Sequence, residues 1–497
     1  MIRQQRIAFS PANTKWLSLL IAALFGLVAA LAPVNITFSL GILIAFGLTV
    51  LITPWAALMM LIILSPLKVL IATESAFQLP LDVGQLAFLG LLLAWGVDQV
   101  ARRRSGLRHT ARFQWSPVYF PVLLFTLIGG LTVFSAHSVS AWLTEWLKWL
   151  VILIVVVLVN HTSQRDQWRW LVTGLVLAGL ANALVGLYQF FGGSGALHLL
   201  INDRFFRAFG TFGQPNPFGG FMGLVLPLAL MMALGYALRA WQSWRTARVI
   251  PLYEMVSGIF FTVAALVLFA GLVASWSRGA WMGFVVSGGV MVFALPRRFW
   301  HGLLLVGGIS GIVAILWFAR ILPASIVERI NSTTAEYFSI SDVRGVDITP
   351  DNYAVVERLA HWQAALNMAT QESWLGVGLG NYEIAYDDSR LINWQESLGH
   401  AHNYYLNILA EAGIIGLLGY GKAWLIIMWL TWRARRHPDN LARVTVIGLL
   451  GSWVYLSIHH LFDSLYVNNL FIHLGLMLGI LSVLYNQSQR HIRVETL

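Results

Sequence analysis

Apolar runs long enough to cross a bilayer recur along almost the whole chain, and they constrain the fold more than any other feature. A membrane-spanning helix needs about 17–25 predominantly apolar residues. Of the 497 residues, 58% are hydrophobic and 11% are charged, whereas soluble proteins carry about 25% charged residues. In hydrocarbon each backbone N–H and C=O must be paired internally, so these runs are predicted to be helices. The sequence lacks the short alternating segments of a transmembrane β-barrel.

The predicted fold is an all-α, polytopic membrane helix bundle of about 12–14 transmembrane helices, with one long, partly helical extracytoplasmic loop. Thr53-Pro54 alone separates the second and third runs, which could instead be short re-entrant pieces. Three regions follow: an N-terminal bundle (1–320), the loop (321–401) and C-terminal helices (402–497). The predicted spans lie near residues 16–33, 36–52, 54–72, 82–99, 117–135, 143–159, 169–191, 216–238, 255–275, 280–295, 302–320, 403–431, 443–463 and 467–485.

Arginines in the short connections predict the orientation. They cluster within 102–112, 239–248, 297–298, 433–443 and 490–493. Counting spans puts all these clusters on the side of the N-terminus, and the positive-inside rule makes that side cytoplasmic. Both termini are therefore predicted to be cytoplasmic in a multi-pass membrane protein. The net charge of +10 reflects this topology signal, so no nucleic-acid partner is expected.

The segment 321–401 is the one long polar stretch, and it is predicted to lie outside the cell. It holds 11 of the 22 acidic residues and four arginines. Within it, an apolar series at helical spacing predicts an amphipathic helix. This helix either lies on the membrane or caps a cavity; the alternative is a helix packed on the bundle for stability. The series comprises Val355, Leu359, Trp362, Leu366 and Ala369.

Four outward-facing arginines, Arg204, Arg207, Arg278 and Arg358, are candidate binding residues. Arginine near a membrane is costly and usually faces a protein interior or a wet cavity. Its planar fork matches phosphate oxygens. The simplest phosphate-bearing partner outside the cell is a lipid, either a phospholipid headgroup or a polyprenyl diphosphate. The alternative, snorkelling to the headgroups, is favoured for Arg204, whereas the tight turn 275–279 favours a functional Arg278.

His402 is the candidate general base, because imidazole accepts a proton near neutral pH; a structural role is the alternative. His400 lies two residues away and raises the question of a metal. A zinc site needs three or four converging ligands, and no third ligand lies nearby in sequence. More distant candidates predicted on the same face are His459, His460, Asp463 and His473. No metal and no cofactor are predicted.

Two glycine-rich segments carry weaker signals. The sequence GVGLG at 376–380 resembles a nucleotide-binding loop, but no strand precedes it, so a backbone turn is favoured. Residues 213–220 are predicted to lead into a helix whose N-terminal end either offers N–H groups to an anion or is a simple helix start.

Three motifs resemble the O-antigen ligase and O-antigen polymerase superfamily of bacterial envelope glycosyltransferases. His402-Asn403, followed after nine residues by GIIG at 413–416, resembles the histidine motif of the ligases. SRGA at 277–280 resembles the arginine turn of the superfamily, and RAFG at 207–210, leading into PNP at 215–217, resembles its first outer-loop arginine motif. Residues 376–382 also match a family segment, and the resemblance extends from about 204 to 416.

The resemblance implies a membrane glycosyltransferase that moves a glycan from undecaprenyl diphosphate to an acceptor hydroxyl on the outer face of the inner membrane. His402 would deprotonate the acceptor, and Arg207 and Arg278 would hold the diphosphate, with Arg358 and Asn403 as further substrate-binding residues. Arginines would replace a metal. The expected partners are the lipid-linked glycan, lipid A–core or another glycan acceptor, and membrane lipids.

Three other interpretations remain open. A polymerase that joins lipid-linked repeat units would use the same donor. A transporter of lipid-linked sugars would predict an internal repeat and charges near the bilayer midplane; the sequence shows no repeat, and Lys68 is the main midplane exception. A scaffold or signalling protein would need none of the candidate residues.

Overall fold

A computed structural model describes residues 53–74, 81–104, 114–163, 166–193, 196–201, 204–320, 342–349 and 352–495. The first two predicted spans and most of the segment 321–351 lie outside these residues. Within the described residues most of the chain is helical and almost none of it is strand, which confirms the predicted all-α membrane bundle. The exception is a short antiparallel pair, β1 (Leu200–Ile201) and β2 (Phe205–Phe206).

The helices of the described residues are numbered here in chain order. They are α1 (Pro54–Leu64), α2 (Lys68–Glu74), α3 (Val83–Arg104), α4 (Tyr119–Leu131), α5 (Val139–Thr162), α6 (Trp168–Tyr188), α7 (Pro215–Ala247), α8 (Leu252–Ala274), α9 (Arg278–Ala294), α10 (Phe299–Phe318), α11 (Tyr353–Gln371), α12 (Tyr386–Ser389), α13 (Tyr404–Ala434), α14 (Asn440–His459) and α15 (Leu470–Glu495).

Ten helical segments of the described chain are long and apolar enough to cross a membrane, α1 and α2 counting as one continuous segment. Two shorter apolar helices, Tyr119–Phe134 and Arg278–Ala294, complete the set. Each of the twelve spans predicted between residues 54 and 485 coincides with one of these helices. The division of the chain into three regions stays a prediction.

The ends of the helices meet at two opposite ends of the bundle. At what we call the upper end, Tyr404 N at the start of α13 donates to the carbonyl of His460 just after α14, at 2.8 Å. At the lower end, Arg239 of α7 pairs with Asp439, the N-cap of α14. The connections that carry the candidate residues therefore share the upper end.

Small residues let the central helices approach closely, as is typical of membrane interfaces. A Cβ at Gly223 of α7 would lie 2.1 Å from the ring of Tyr455 on α14. The hydroxyl of Tyr455 donates to the carbonyl of Gly219 at 2.9 Å. At the periphery, by contrast, only 6% of the apolar window of α10 is buried, against 89% for α15, so α10 presents its surface to lipid.

The amphipathic helix predicted in the long loop exists as α11, and its buried face matches the predicted one only in part. Val355 and Leu359 are buried as predicted, but Leu366 is 45% exposed, and Ala360, Ala364 and Ala365 are buried. The prediction followed the largest apolar residues. The alanines are buried instead because their small side chains let α11 pack closely against α13.

The glycine-rich segment 376–380 is a packed backbone turn and not a nucleotide loop. Val377 N donates to the carbonyl of Ala410 at 2.9 Å, and Ile414 N donates to that of Ser373 at 2.9 Å. Gly413 interrupts α13 with φ 65° and ψ −166°, a region that is essentially restricted to glycine. A Cβ there would lie 2.3 Å from the backbone of Trp374, so this motif glycine is required for the loop to contact the helix.

Candidate active site at the upper end of the bundle

His402 lies in a backbone conformation that non-glycine residues seldom adopt, with φ +50°. Such a conformation costs about 1–3 kcal/mol and persists where the surroundings impose it, often at functional sites. Here the surroundings are polar contacts on both sides of His402. Ala401 N donates to Asn407 Oδ1 at 3.1 Å. Asn403 caps α13, since its Oδ1 accepts from Tyr405 N and Leu406 N at 3.0 and 3.2 Å.

A buried carboxylate lies beside the two histidines of the loop. Asp463 follows α14 directly, and its side chain is 8% exposed. Its Oδ1 accepts from Ser464 N at 2.8 Å and lies 3.1 Å from His400 Nε2. His402 Nδ1 points to the same oxygen from 3.8 Å, which is too long for a hydrogen bond. The sequence named Asp463 only as a distant metal candidate.

These contacts shift the pKa values of Asp463, His400 and His402 in different directions. Burial raises the pKa of Asp463, but the hydrogen bond from His400 and the neighbouring imidazole of His402 outweigh it and hold the pKa well below its usual range. Burial lowers the pKa of His400, yet its bond to Asp463 makes the net shift upward. Burial lowers the pKa of His402, and here the net shift stays downward. His402 is therefore the imidazole that stays neutral and able to accept a proton.

A third imidazole, His361 of α11, was not found by sequence reasoning. It is fully buried, it lies 3.0 Å from the Tyr382 hydroxyl through Nδ1, and its ring stacks on Tyr386. The ring stands edge-on to His402, with 5.8 Å between ring centroids. Burial lowers the pKa of His361 to about 4, so this wall of the site carries no charge near neutral pH. Its position on α11, away from the apolar series, gave no signal in the sequence.

Arg358 lies on the same helix, one turn before His361. Its positive charge contributes to lowering the pKa of His402, which places the guanidinium within electrostatic reach of that imidazole. The side chain is half-buried. The structure thus brings Arg358 to the candidate base, whereas the sequence located it only on the loop helix.

Arg207 and Arg278 meet at one turn. Arg207 Nε donates to the carbonyl of Ser275 at 3.2 Å, and its Nη2 donates to Asn216 Oδ1 in the first turn of α7 at 3.3 Å. Arg278 begins α9 two residues after Trp276, which also has a positive φ of 54°. Arg204, in contrast, is exposed and stacks on Phe205 at 5.0 Å.

The arginine turn packs against the segment that carries the carboxylate. A Cβ on Gly279 would lie 2.8 Å from that of Phe462, the residue before Asp463. The arginine pair and the histidine cluster are therefore neighbouring parts of one patch at the upper end. Arg278 is the first residue of α9, and the Arg207 side chain contacts the first turn of α7. The helix dipoles are also positive at these two ends, so the patch is suited to an anion.

The other histidines considered for a metal do not join the cluster. His460 Nδ1 lies 3.0 Å from the Tyr420 hydroxyl, and its Nε2 accepts from Leu465 N. His473 Nε2 lies 2.9 Å from the carbonyl of Ile62. His459 stacks on Tyr455. Within the described residues, Asp463 alone joins His400 and His402 as a third potential metal ligand.

A family model described as O-antigen ligase matches residues 263–421. The match covers 159 of the 497 residues. It confirms the resemblance to the O-antigen ligase superfamily. Together with the ten apolar helices of the described residues, it supports a multi-pass membrane protein of the ligase or polymerase type. None of the curated proteins gives a significant match to the chain.

The O-antigen ligase domain contains Arg278, Arg358 and His402 but not Arg207 or Asp463. The last two come from either side of the matched segment and complete the patch through α7 and the turn after α14. The candidate site is therefore larger than the domain that the family model matches.

Proposed function

We propose that the protein transfers a glycan from a polyprenyl diphosphate, of the undecaprenyl type, to an acceptor hydroxyl at the outer face of the bacterial inner membrane. The observation that carries the proposal is the position of His402. It is strained, it is kept neutral beside a buried carboxylate, and it lies next to a patch with arginines at two helix starts. A base beside an anion site is what transfer from a diphosphate requires.

His402 Nε2 is the proposed proton acceptor. Since Nδ1 faces Asp463, the other ring nitrogen is left for the acceptor hydroxyl. As Nε2 takes the hydroxyl proton, the acceptor oxygen forms a bond to the anomeric carbon of the donor sugar. The resulting imidazolium is stabilised by the Asp463 carboxylate, the arrangement used in Ser-His-Asp triads.

Arg207, Arg278 and the helix starts beside them would bind the diphosphate. When the bond between the anomeric carbon and the phosphate oxygen breaks, that oxygen keeps the electron pair and negative charge grows on the leaving group. Fixed cations aimed at developing charge are usually a large catalytic contribution. Attack from the face opposite the diphosphate inverts the anomeric centre. Arg358, close to His402, would contact the acceptor or the donor sugar.

Asn403 has a positioning role in this proposal. Its Oδ1 is engaged as the cap of α13, which leaves its amide nitrogen for the substrate contact that the resemblance implies. Its main contribution is then to hold the backbone of His402 in place.

The distribution of arginines supports an outward-facing upper end. Arg239, Arg435 and Arg443 lie at the lower end, together with the exposed arginines 245, 248, 297, 298, 433 and 436. By the positive-inside rule a cytoplasmic lower end is expected, and this supports an outer-face position for His402.

The test is an in vitro transfer assay with full-length protein in detergent and a polyprenyl-diphosphate glycan as donor. Parallel arms offer lipid A–core or a second lipid-linked glycan as acceptor, and thereby separate ligase from polymerase chemistry. His402→Asn is the informative variant, because asparagine tolerates the positive φ. We expect a rate about 10²–10⁴-fold lower, while His301→Asn on α10 keeps the wild-type rate. Wild-type transfer by His402→Asn would rule out the base.

A further inference from the structure

We infer that His400, His402 and Asp463 form a binding site for one divalent cation of the zinc class. Two imidazoles and one carboxylate are ligands that zinc takes in proteins, and three protein ligands leave a position open for water or another ligand. Sequence reasoning could not select Asp463 from the four distant candidates, because Asp463 lies 61 positions after His402.

The distances between the potential ligand atoms fit a shared ion. Zinc–nitrogen and zinc–oxygen bonds of about 2.0–2.2 Å at tetrahedral angles put neighbouring ligand atoms roughly 3.3–3.5 Å apart. Asp463 Oδ1 lies 3.1 Å from His400 Nε2 and 3.8 Å from His402 Nδ1. All three ligand atoms lie within 4.8 Å of one another. A rotation of the His402 ring towards Asp463 would shorten the 3.8 Å separation between Nδ1 and Oδ1.

Hydrogen bonding in the cluster is incomplete without a further ligand. His402 Nδ1 is buried and has no hydrogen-bond partner among the described residues, although it points to a carboxylate oxygen. His400 Nδ1 and His361 Nε2 are also buried without a partner. Buried polar atoms are nearly always satisfied by protein, ordered water or an ion. An ion held by His402 Nδ1 would satisfy the nitrogen that the loop directs at Asp463.

Some charges around the cluster favour a bound cation, and one opposes it. Asp463 supplies a buried negative charge at the ion, and Glu411 of α13 adds a second carboxylate within electrostatic reach of His400. Arg358 of α11 opposes a cation through its proximity to His402. A borderline-soft ion that forms directed bonds to nitrogen is therefore favoured over Ca²⁺ or Mg²⁺, which bind mainly through oxygen ligands and charge.

The site has a consequence for the proposed transferase, and this step rests on the proposed function. A ring whose Nδ1 is bound to zinc is a much poorer base at Nε2. Zinc and catalysis would then exclude each other at His402, and zinc would inhibit transfer without competing with the lipid-linked donor.

Metal binding to the untagged, full-length protein in detergent tests the inference without any transfer assay. After chelator treatment and dialysis, zinc content is measured by mass spectrometry, and Co²⁺ is titrated to record the visible absorption of a tetrahedral nitrogen–oxygen site. Wild type and the control His301→Ala should bind one ion per chain. His400→Ala, His402→Asn and Asp463→Asn should each weaken binding at least about tenfold, the least that even outer-shell changes cost. Elution on size exclusion identifies variants that fail to fold.

No bound ion in the wild type, or equal binding by all three folded variants, would overturn the site. Zinc bound as expected, with no transfer by any form of the protein, would leave the site standing and reject the proposed function. If transfer is unchanged when zinc saturates the site, then zinc binding does not prevent His402 from acting in catalysis, and the proposed mutual exclusion is wrong.

Discussion

The two ends of α9 show two different uses of arginine. At the C-terminal end, Arg435 Nη1 donates to the carbonyls of Ala294 and Pro296 at 3.1 and 3.2 Å, and Arg443 donates to that of Leu295. These carbonyls have no partner within the helix, so the two cations complete the helix end and match its dipole. At the N-terminal end, Arg278 is the first helical residue, where the dipole is already positive.

The difference teaches how to separate structural arginines from functional ones. A cation at a helix N-terminus typically costs about 0.3–1 kcal/mol. Arg278 is the first residue of α9, and Arg207 contacts the first turn of α7, so the proposed anion between them would offset that cost. At the lower end, Arg239, Arg435 and Arg443 are matched by Asp439 and by carbonyls.

Among the arginine variants, the largest effect is expected for Arg278→Ala. Removal of one fixed donor from a site of developing charge lowers the transfer rate about 10²–10³-fold. Arg298→Ala, four residues beyond the other end of α9, should transfer at the wild-type rate. Similar losses of transfer in both variants would mean that an arginine at the start of α9 is no more important for transfer than one beyond its end.

Arg207→Ala should have a smaller effect, about tenfold to 10²-fold and thus below the range for one fixed donor, because Arg207 already contacts Ser275 and Asn216. Its matched control is Arg204→Ala, three residues earlier in the same loop and exposed to solvent. Initial rates over a series of donor concentrations measure both variants. The assignment of Arg207 to the site fails if Arg204→Ala loses more activity.

Arg435→Ala should change stability and not transfer. It leaves two carbonyls at the end of α9 without their charged donor, and such bonds contribute about 1.5–3 kcal/mol. Thermal unfolding in detergent should shift downward, while the rate per folded molecule stays at the wild-type value. A specific loss of transfer in Arg435→Ala would erase the contrast between the two ends.

The smallest effect is expected for Asn403→Ala, which removes the cap of α13 at a cost of about 1 kcal/mol. Transfer should fall with stability, because the cap holds the backbone of His402. Asn403→Ser keeps an acceptor oxygen and should restore most of both. If serine restores stability but not transfer, then the amide nitrogen of Asn403 contacts substrate directly.

Most of the fold was predictable, because hydrophobic length fixes where helices cross a membrane. Motif glycines were harder to interpret. From the sequence, Gly376 belongs to a possible phosphate-binding loop, and Gly413 belongs to the histidine motif. In the structure, both glycines permit the same backbone contact between the loop and α13. That contact joins residues about 40 positions apart, and no local pattern in a single sequence reports it.

The candidate site was predictable only in part. Arg207, Arg278 and His402 belong to motifs and could be named from the sequence, and the structure brings them to one end of the bundle. Asp463 and His361 could not be given roles, since each is recognised by its burial beside His402. Burial of a polar side chain is set by how α11 and α14 pack, and hydropathy does not determine that packing.

The most direct test of the account is a structure of the full-length protein with a polyprenyl diphosphate bound. The account predicts the diphosphate at the upper end, within hydrogen-bonding distance of both Arg207 and Arg278, with the first sugar beside His402. A diphosphate bound at the lower end near Arg435 and Arg443, or at the upper end out of reach of both arginines, would contradict it.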